Sequence, residues 1–183
     1  KKKIKMSVTF EQQIIKNLLY SDGYLGGSSK KIFQKNQGYL LGSKKGFVVY
    51  NLEKVVFTYV KVLSLVRNLK KRKLKILFIG CPFGMEKKIE KLLSSSRHFF
   101  ISSTNWVHGS LSNNRLLSTE LSMVVTFNQS LAFSNKEFFN KELTLISFVE
   151  ENEKLSFIDF SLVISLRSKS IADMYYFLLK QSI

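Results

Sequence analysis

Residues 75–80, Lys-Ile-Leu-Phe-Ile-Gly, set four consecutive apolar side chains between a lysine and a glycine. So short and so uniformly apolar a run reads as a strand covered on both faces, the environment of a parallel sheet between layers of helix. The chain beyond keeps that pattern. Spacing predicts a helix over 85–93 with Ile89, Leu92 and Leu93 inward, strands over 99–102, 121–127, 143–149 and 160–165, and a short helix over 134–142. Ser168 or Ser170 is placed to cap a last helix, whose apolar side holds Ile171, Met174, Tyr175, Leu178 and Leu179. Such alternation predicts a mainly parallel sheet with helices on both faces. The run at 99–102 reads as a central buried strand emptying into a loop around Trp106, the single tryptophan, with a short helix near 113–118.

Upstream of residue 75 the organisation differs. Lys1-Lys2-Lys3-Ile4-Lys5 is a basic tail with little to bury, expected to be disordered or to fold on an anionic partner. It lacks the apolar segment of a secretory signal, and Glu11 comes too early for one. Thr9 is placed to cap a helix over 10–20 in which Phe10, Ile14, Leu18 and Leu19 share a face, and Ser21-Asp22-Gly23 stops it. Residues 23–38, rich in Gly, Ser and Lys, read as a basic loop or a plain linker. Residues 39–41 and 47–50 are strand-like, and the loop 42–46 between them, with a glycine at each end, makes a hairpin that carries Lys44 and Lys45 at its tip. Asn51 caps a helix to about Asn68, buried along Val55, Val56, Tyr59, Val62, Leu63 and Val66. Lys70-Lys71-Arg72-Lys73 follow and are too charged for a core. The chain thus divides into a basic N-terminal helix and loop over 1–37 and one α/β domain over 38–183, hairpin included.

Charge says more about partners than about fold. Residues 1–91 carry 21 Lys and Arg against 5 Asp and Glu, and residues 92–183 carry 8 of each, so the whole excess of +16 lies in the first half. Such asymmetry points to a polyanion, because each cation that neutralises a phosphate also releases condensed counterions. A solvated basic face and an anionic membrane surface are the other readings. The chain is long enough for a core of its own, its single cysteine excludes an internal disulfide, and no apolar run approaches the roughly 20 residues a membrane span needs. Usage leans to Lys, Phe, Ile, Asn, Leu, Ser and Tyr, with one proline, the bias of an AT-rich coding sequence such as organelle genomes often have.

Catalysis finds no cast. The turn Gly80-Cys81-Pro82-Phe83-Gly84-Met85 follows a strand and opens a helix, yet it matches neither the G-x-G-x-x-G of a dinucleotide turn nor the Gly-Lys-Ser/Thr of a P-loop. Cys81 has no histidine near it in sequence and reads as a small residue packed beneath the sheet. His98 reads as a strand-edge residue, and His108 has no acid before Glu120 to orient it. With two histidines and one cysteine a metal site is not expected. Glu150, Glu151 and Glu153 share a loop after a strand, where they form a solvated acidic turn or meet a cation or basic partner.

Three segments resemble the bacterial-type ribosomal protein S2 family of the small subunit. Residues 38–56, GYLLGSKKGFVVYNLEKVV, resemble Y-I-F-G-x-R-N-G-I-H-I-I-D-L-x-K-T, with Tyr39, Gly42, Gly46, Leu52 and Lys54 in register. KILFIG resembles K-I-L-F-V-G, and FFISSTNWVHGSLSN resembles F-V-N-H-R-W-L-G-G-M-L-T-N, with Trp106, Gly109, Leu111 and Asn113 in place. The last helix also sits where that of the family falls. Departures stand beside these matches. The H-F-G-H near the family's start is here Leu25-Gly26-Gly27-Ser28, so no role of those histidines carries over. Asn105 and His108 replace an arginine and a glycine, and only residues 117–120 stand where the family inserts a coiled-coil hairpin.

The resemblance implies a Rossmann-like three-layer α/β/α domain, preceded by the basic helix, loop and hairpin. It implies a structural role without cofactor, catalysis or small-molecule substrate: binding small-subunit ribosomal RNA between head and body, beside neighbouring small-subunit proteins, and supporting assembly for translation. Divergence and biased composition suggest an organellar ribosome, mitochondrial before plastid. RNA phosphates are expected on Lys30, Lys31, Lys35, Lys44 and Lys45, supported by Lys71, Arg72 and Lys73, with Asn113 and Arg115 as polar contacts. Trp106 either stacks on a base or packs under its own loop. The rival functions are a Rossmann-like nucleotide-binding enzyme and a protein-binding scaffold built on the neutral second half.

Overall fold

The computed structural model describes residues 2–28, 34–107, 111, 121–127, 143–152 and 158–183. Helix α1 (Lys2–Tyr20) begins well before the predicted start at Phe10. No glycine or proline interrupts residues 2–9, so a helix anchored by buried Ile14 and Leu18 propagates backward through the basic segment instead of starting at Thr9. It stops as foreseen: Gly23 N–H donates to Leu18 O at 2.9 Å while Asp22 takes a left-handed φ of 53°.

Three antiparallel strands follow, β1 (Leu25–Ser28), β2 (Leu40–Lys44) and β3 (Phe47–Tyr50), in the order β1-β3-β2, with a 3-10 segment, Gln34–Tyr39, leading into β2. The loop expected over 23–38 is therefore partly strand. Gly26 and Gly27 conceal it, since they show no side-chain alternation. Both are required: a Cβ on Gly26 would stand 2.8 Å from the Tyr50 ring, and one on Gly27 2.7 Å from Glu151 Oε1. Glu151 is a second correction. It is no solvated acidic turn; only 4% exposed, its carboxylate accepts hydrogen bonds from Gly27 N–H at 2.8 Å and from the Tyr50 hydroxyl. Glu150-Glu151 reads as surface in sequence because the glycine backbone that covers it lies more than a hundred residues upstream.

Helix α2 (Leu52–Lys71) starts at Asn51, whose side chain accepts from Lys54 N–H at 3.1 Å, and buries every residue of the predicted stripe. Beyond it lie β4 (Lys75–Ile79), α3 (Glu86–Leu93), β5 (Phe99–Ile101), β6 (Leu121–Phe127), β7 (Thr144–Val149), β8 (Phe160–Val163) and α4 (Lys169–Ser182). The five strands form a wholly parallel sheet in the order β5-β4-β6-β7-β8, flanked by helices, which is the expected α/β architecture. β5 is an edge strand, not a central one: it is three residues long, and all three side chains keep partial exposure. The predicted helices over 113–118 and 134–142 lie outside the described residues.

Alternation along the strands divides the interior into two cores. Ile76, Phe78, Met123, Val125, Ile146 and Phe148 point to the layer of α1, α2, α3 and α4. Leu77, Ile79, Val124 and Leu145 point the other way, where Trp106 and Leu111 cover them. Hydroxyls tie helix to helix and helix to sheet. Tyr59 donates to Met174 O at 2.7 Å and Tyr175 to Gly80 O at 2.8 Å, and burial pushes both phenols up in pKa, so they remain donors. Ser168 N-caps α4 without a side-chain cap bond, because its hydroxyl and that of Ser170 are engaged with Ser21 and Asn17 at the end of α1.

Candidate nucleic-acid interface

The hairpin turn is tighter than the five-residue loop expected from its glycines. Lys45 and Gly46 alone form it, with φ of 51° and 83°, the pair of left-handed residues that a two-residue type I′ turn needs. Lys44 ends β2 opposite Phe47, and both lysines are exposed. Gly42, at φ 151°, sits where the β2–β3 register shifts. Lys54, family-like in register, is structural: its ammonium donates to Gly38 O at 2.9 Å and lies 4.4 Å over the Tyr39 ring.

The second predicted cluster closes α2. Leu74 N–H donates to Leu69 O at 3.1 Å and Lys73 N–H to Lys70 O at 3.0 Å, the Schellman pair, with Lys73 in the left-handed position at φ 57° where glycine is usual. Lys70, Lys71, Arg72 and Lys73 are all exposed there, and their charge complements the carbonyl end of the helix dipole. A helix of 20 residues is about 30 Å long. The hairpin precedes this element and Lys70–Lys73 close it, so the two clusters belong to separate parts of the chain.

Lys35 lies in the 3-10 segment before β2, whereas Lys30, Lys31, Asn113 and Arg115 fall outside the described residues. Trp106 is 8% exposed and packs with Leu77, Ile79 and Leu111, so its indole covers the second face of the sheet. Further exposed cations went unread in the sequence: Lys61 and Arg67 on α2, Lys87, Lys88 and Lys91 on α3, and Arg97 before β5. On α3 the i, i+3 and i+4 spacing of Lys87, Lys88 and Lys91 away from buried Ile89 and Leu93 was the available signal. Some are already engaged. Arg67 donates to Gln181 Oε1 at 2.8 Å, Lys61 lies 4.2 Å over exposed Phe57, and Lys88 and Lys180 lie 4.3 and 4.8 Å over Tyr176.

The β4–α3 turn is not built as a phosphate cradle. Gly80 N–H donates to Ile101 O at 2.9 Å, its carbonyl accepts from Tyr175, and Met85 caps α3 without a side-chain bond. Burial, then Glu86 and Glu90, push the Cys81 thiol up to about 11, so it is a thiol at neutral pH. His98 Nδ1 accepts from Ile76 N–H at 3.2 Å and Nε2 donates to Ser182 O at 3.0 Å, which joins the start of β4 to the end of α4. Among the described residues, no three His, Cys, Asp or Glu gather as a metal site, and no helix is long and apolar enough to cross a membrane.

These features define a class: a Rossmann-like α/β domain whose cations are spread over a surface and whose carboxyl-end turn is committed to its own packing. The model of the family described as ribosomal protein S2 matches residues 18–161, and the chain belongs to that family. Three similar proteins are each named small ribosomal subunit protein uS2. That of Carsonella ruddii is 24% identical over 142 residues, 78% of this chain and 63% of its own length. That of Saccharophagus degradans is 24% identical over 107 residues, 58% of this chain and 43% of its own. That of Zymomonas mobilis is 22% identical over 141 residues, 77% and 55%. The chain thus spans between two fifths and two thirds of the length of these relatives.

Proposed function

We propose that this chain is a structural component of a small ribosomal subunit, holding ribosomal RNA between head and body and supporting assembly without catalysing a reaction. The observation that carries this reading is the pair of exposed cation clusters, one on the hairpin before α2 and one in the turn that ends it, in a chain of the ribosomal protein S2 family. An extended polyanion meets both. Phosphate contacts of this kind fix position and orientation, and the protein reads folded RNA by shape. Neighbouring small-subunit proteins complete the site, and the exposed Leu19, Tyr20, Leu41 and Phe47 around the hairpin are suited to them.

The ribosome in question is organellar, mitochondrial before plastid, and this member does without the coiled-coil insertion. The composition bias and the short connection after the tryptophan loop support this. Sedimentation of the tagged protein from fractionated cells tests the reading. Co-migration with small subunits of mitochondria is expected; migration with plastid subunits would move the compartment, and recovery only in the soluble fraction would overturn the function.

A further inference from the structure

A cleft of about 330 Å³ opens at the amino-terminal end of the parallel sheet, between the end of α2 and the α3–β5 connection. We infer that it seats a phosphodiester of the RNA backbone, held by Lys70, Lys73 and Arg97; the inference rests on the RNA-binding reading above. Two chain segments, separate in sequence, bring these three cations to one concavity, whose remaining wall is Ser182 and Ile183 at the end of α4; no Asp or Glu side chain lines it.

The polar groups of its walls are satisfied by one another. Leu69 O and Lys70 O accept from the turn that follows them, Ser96 Oγ donates to Leu93 O at 2.9 Å, and both ring nitrogens of His98 are bonded. The charged side chains that line the cleft are therefore the cations Lys70, Lys73 and Arg97. Among the described residues, no side-chain hydrogen bond or ion pair engages the charged groups of Lys73 or Arg97. Lys73 also holds its place at φ 57°, a left-handed conformation whose strain glycine would avoid. The aromatic ring in its lining is His98, whose two nitrogens are already bonded within the fold, and the cleft lies at the end of the sheet opposite the crevice where Rossmann-like folds take nucleotides. Those facts favour a continuous backbone over a mononucleotide.

The test compares binding of in vitro transcribed small-subunit ribosomal RNA by the full chain, by Lys73→Gly with Arg97→Gln, and by Lys44→Ala with Lys45→Gly, across a salt series. The cleft variant is expected to bind roughly fivefold to twentyfold more weakly, and its log K against log salt slope to shrink by about 1 to 2, at close to 0.9 per phosphate lost. Should Arg97→Gln lower the melting temperature, Lys73→Gly alone carries the test, since it relieves strain. Unchanged affinity and slope in the cleft variant, with weakened binding in the hairpin variant, would overturn the cleft and leave RNA binding standing. Wild-type protein without salt-dependent binding would remove the reading beneath both. Competition by millimolar inorganic phosphate as effective as by RNA would make the cleft a free-anion site and sink the backbone assignment.

Discussion

Glu151 carries a carboxylate to a position 4% exposed, where two donors from the N-terminal sheet, Gly27 N–H and the Tyr50 hydroxyl, meet it. Removing it strands the buried Tyr50 hydroxyl and frees the Gly27 N–H at the surface. Glu151→Ala is expected to cost about 2 kcal/mol of unfolding free energy, read as a lower urea midpoint with unchanged slope. Tyr50→Phe removes one of these bonds and is expected to cost less. Tyr50 itself is held as a donor, because burial first and the Glu151 carboxylate second push its pKa upward. His98 works with the opposite sign. Burial, with the Lys70 charge adding to it, holds its pKa below the ordinary 6.5 despite the bond to Ser182. The unfolded chain then binds a proton before the folded one does, so the His98 contribution is complete above pH 6.5 and is lost as pH falls below it. Melting temperatures from pH 8 to pH 5 should fall on acidification, and His98→Gln should flatten that part of the curve.

Among the elements, the β4–α3 turn shows how a Rossmann-like turn can be spent on packing. Gly80 sits at φ 70°, and a Cβ there would lie 2.7 Å from Phe127 O, so the glycine lets β4 close against β6. Gly80→Ala is expected to destabilise by about 2 kcal/mol or more, measured by calorimetry, while leaving the charged surfaces in place. The second face of the sheet follows the same economy. Where a helix would ordinarily lie, the described cover is Trp106 and Leu111 from the connection after β5. The tryptophan's family-like place is thereby explained by burial, and Trp106→Phe should lower stability more than it alters RNA affinity.

Across the whole molecule, the two cation clusters stand on the hairpin before α2 and in the turn that ends it. Lys44→Ala with Lys45→Gly keeps the type I′ turn, because glycine suits its left-handed position, and removes two charges. Reduced incorporation into small subunits and a salt slope shallower by about 1 to 2 are expected; equal incorporation would exclude the hairpin as an RNA contact. Much of this was legible in the chain itself. The four-residue apolar run of β4, the 3.6-residue stripe of α2, the Asn51 cap and the placement of all net charge in the first half are local patterns, and local backbone and solvation physics reads them directly. What stayed hidden depended on partners distant in sequence. β1 is a strand of glycines that only β3 and Glu151 reveal, Glu151 is buried by a backbone 124 residues away, and β5 is an edge because no strand joins its free side among those described. The cleft of Lys70, Lys73 and Arg97 is of the same kind. Sequence determined which segments bury and which carry charge, through periodicity and composition; tertiary structure alone decided which charges share a concavity and which are neutralised, because proximity between segments is a property of the packed chain.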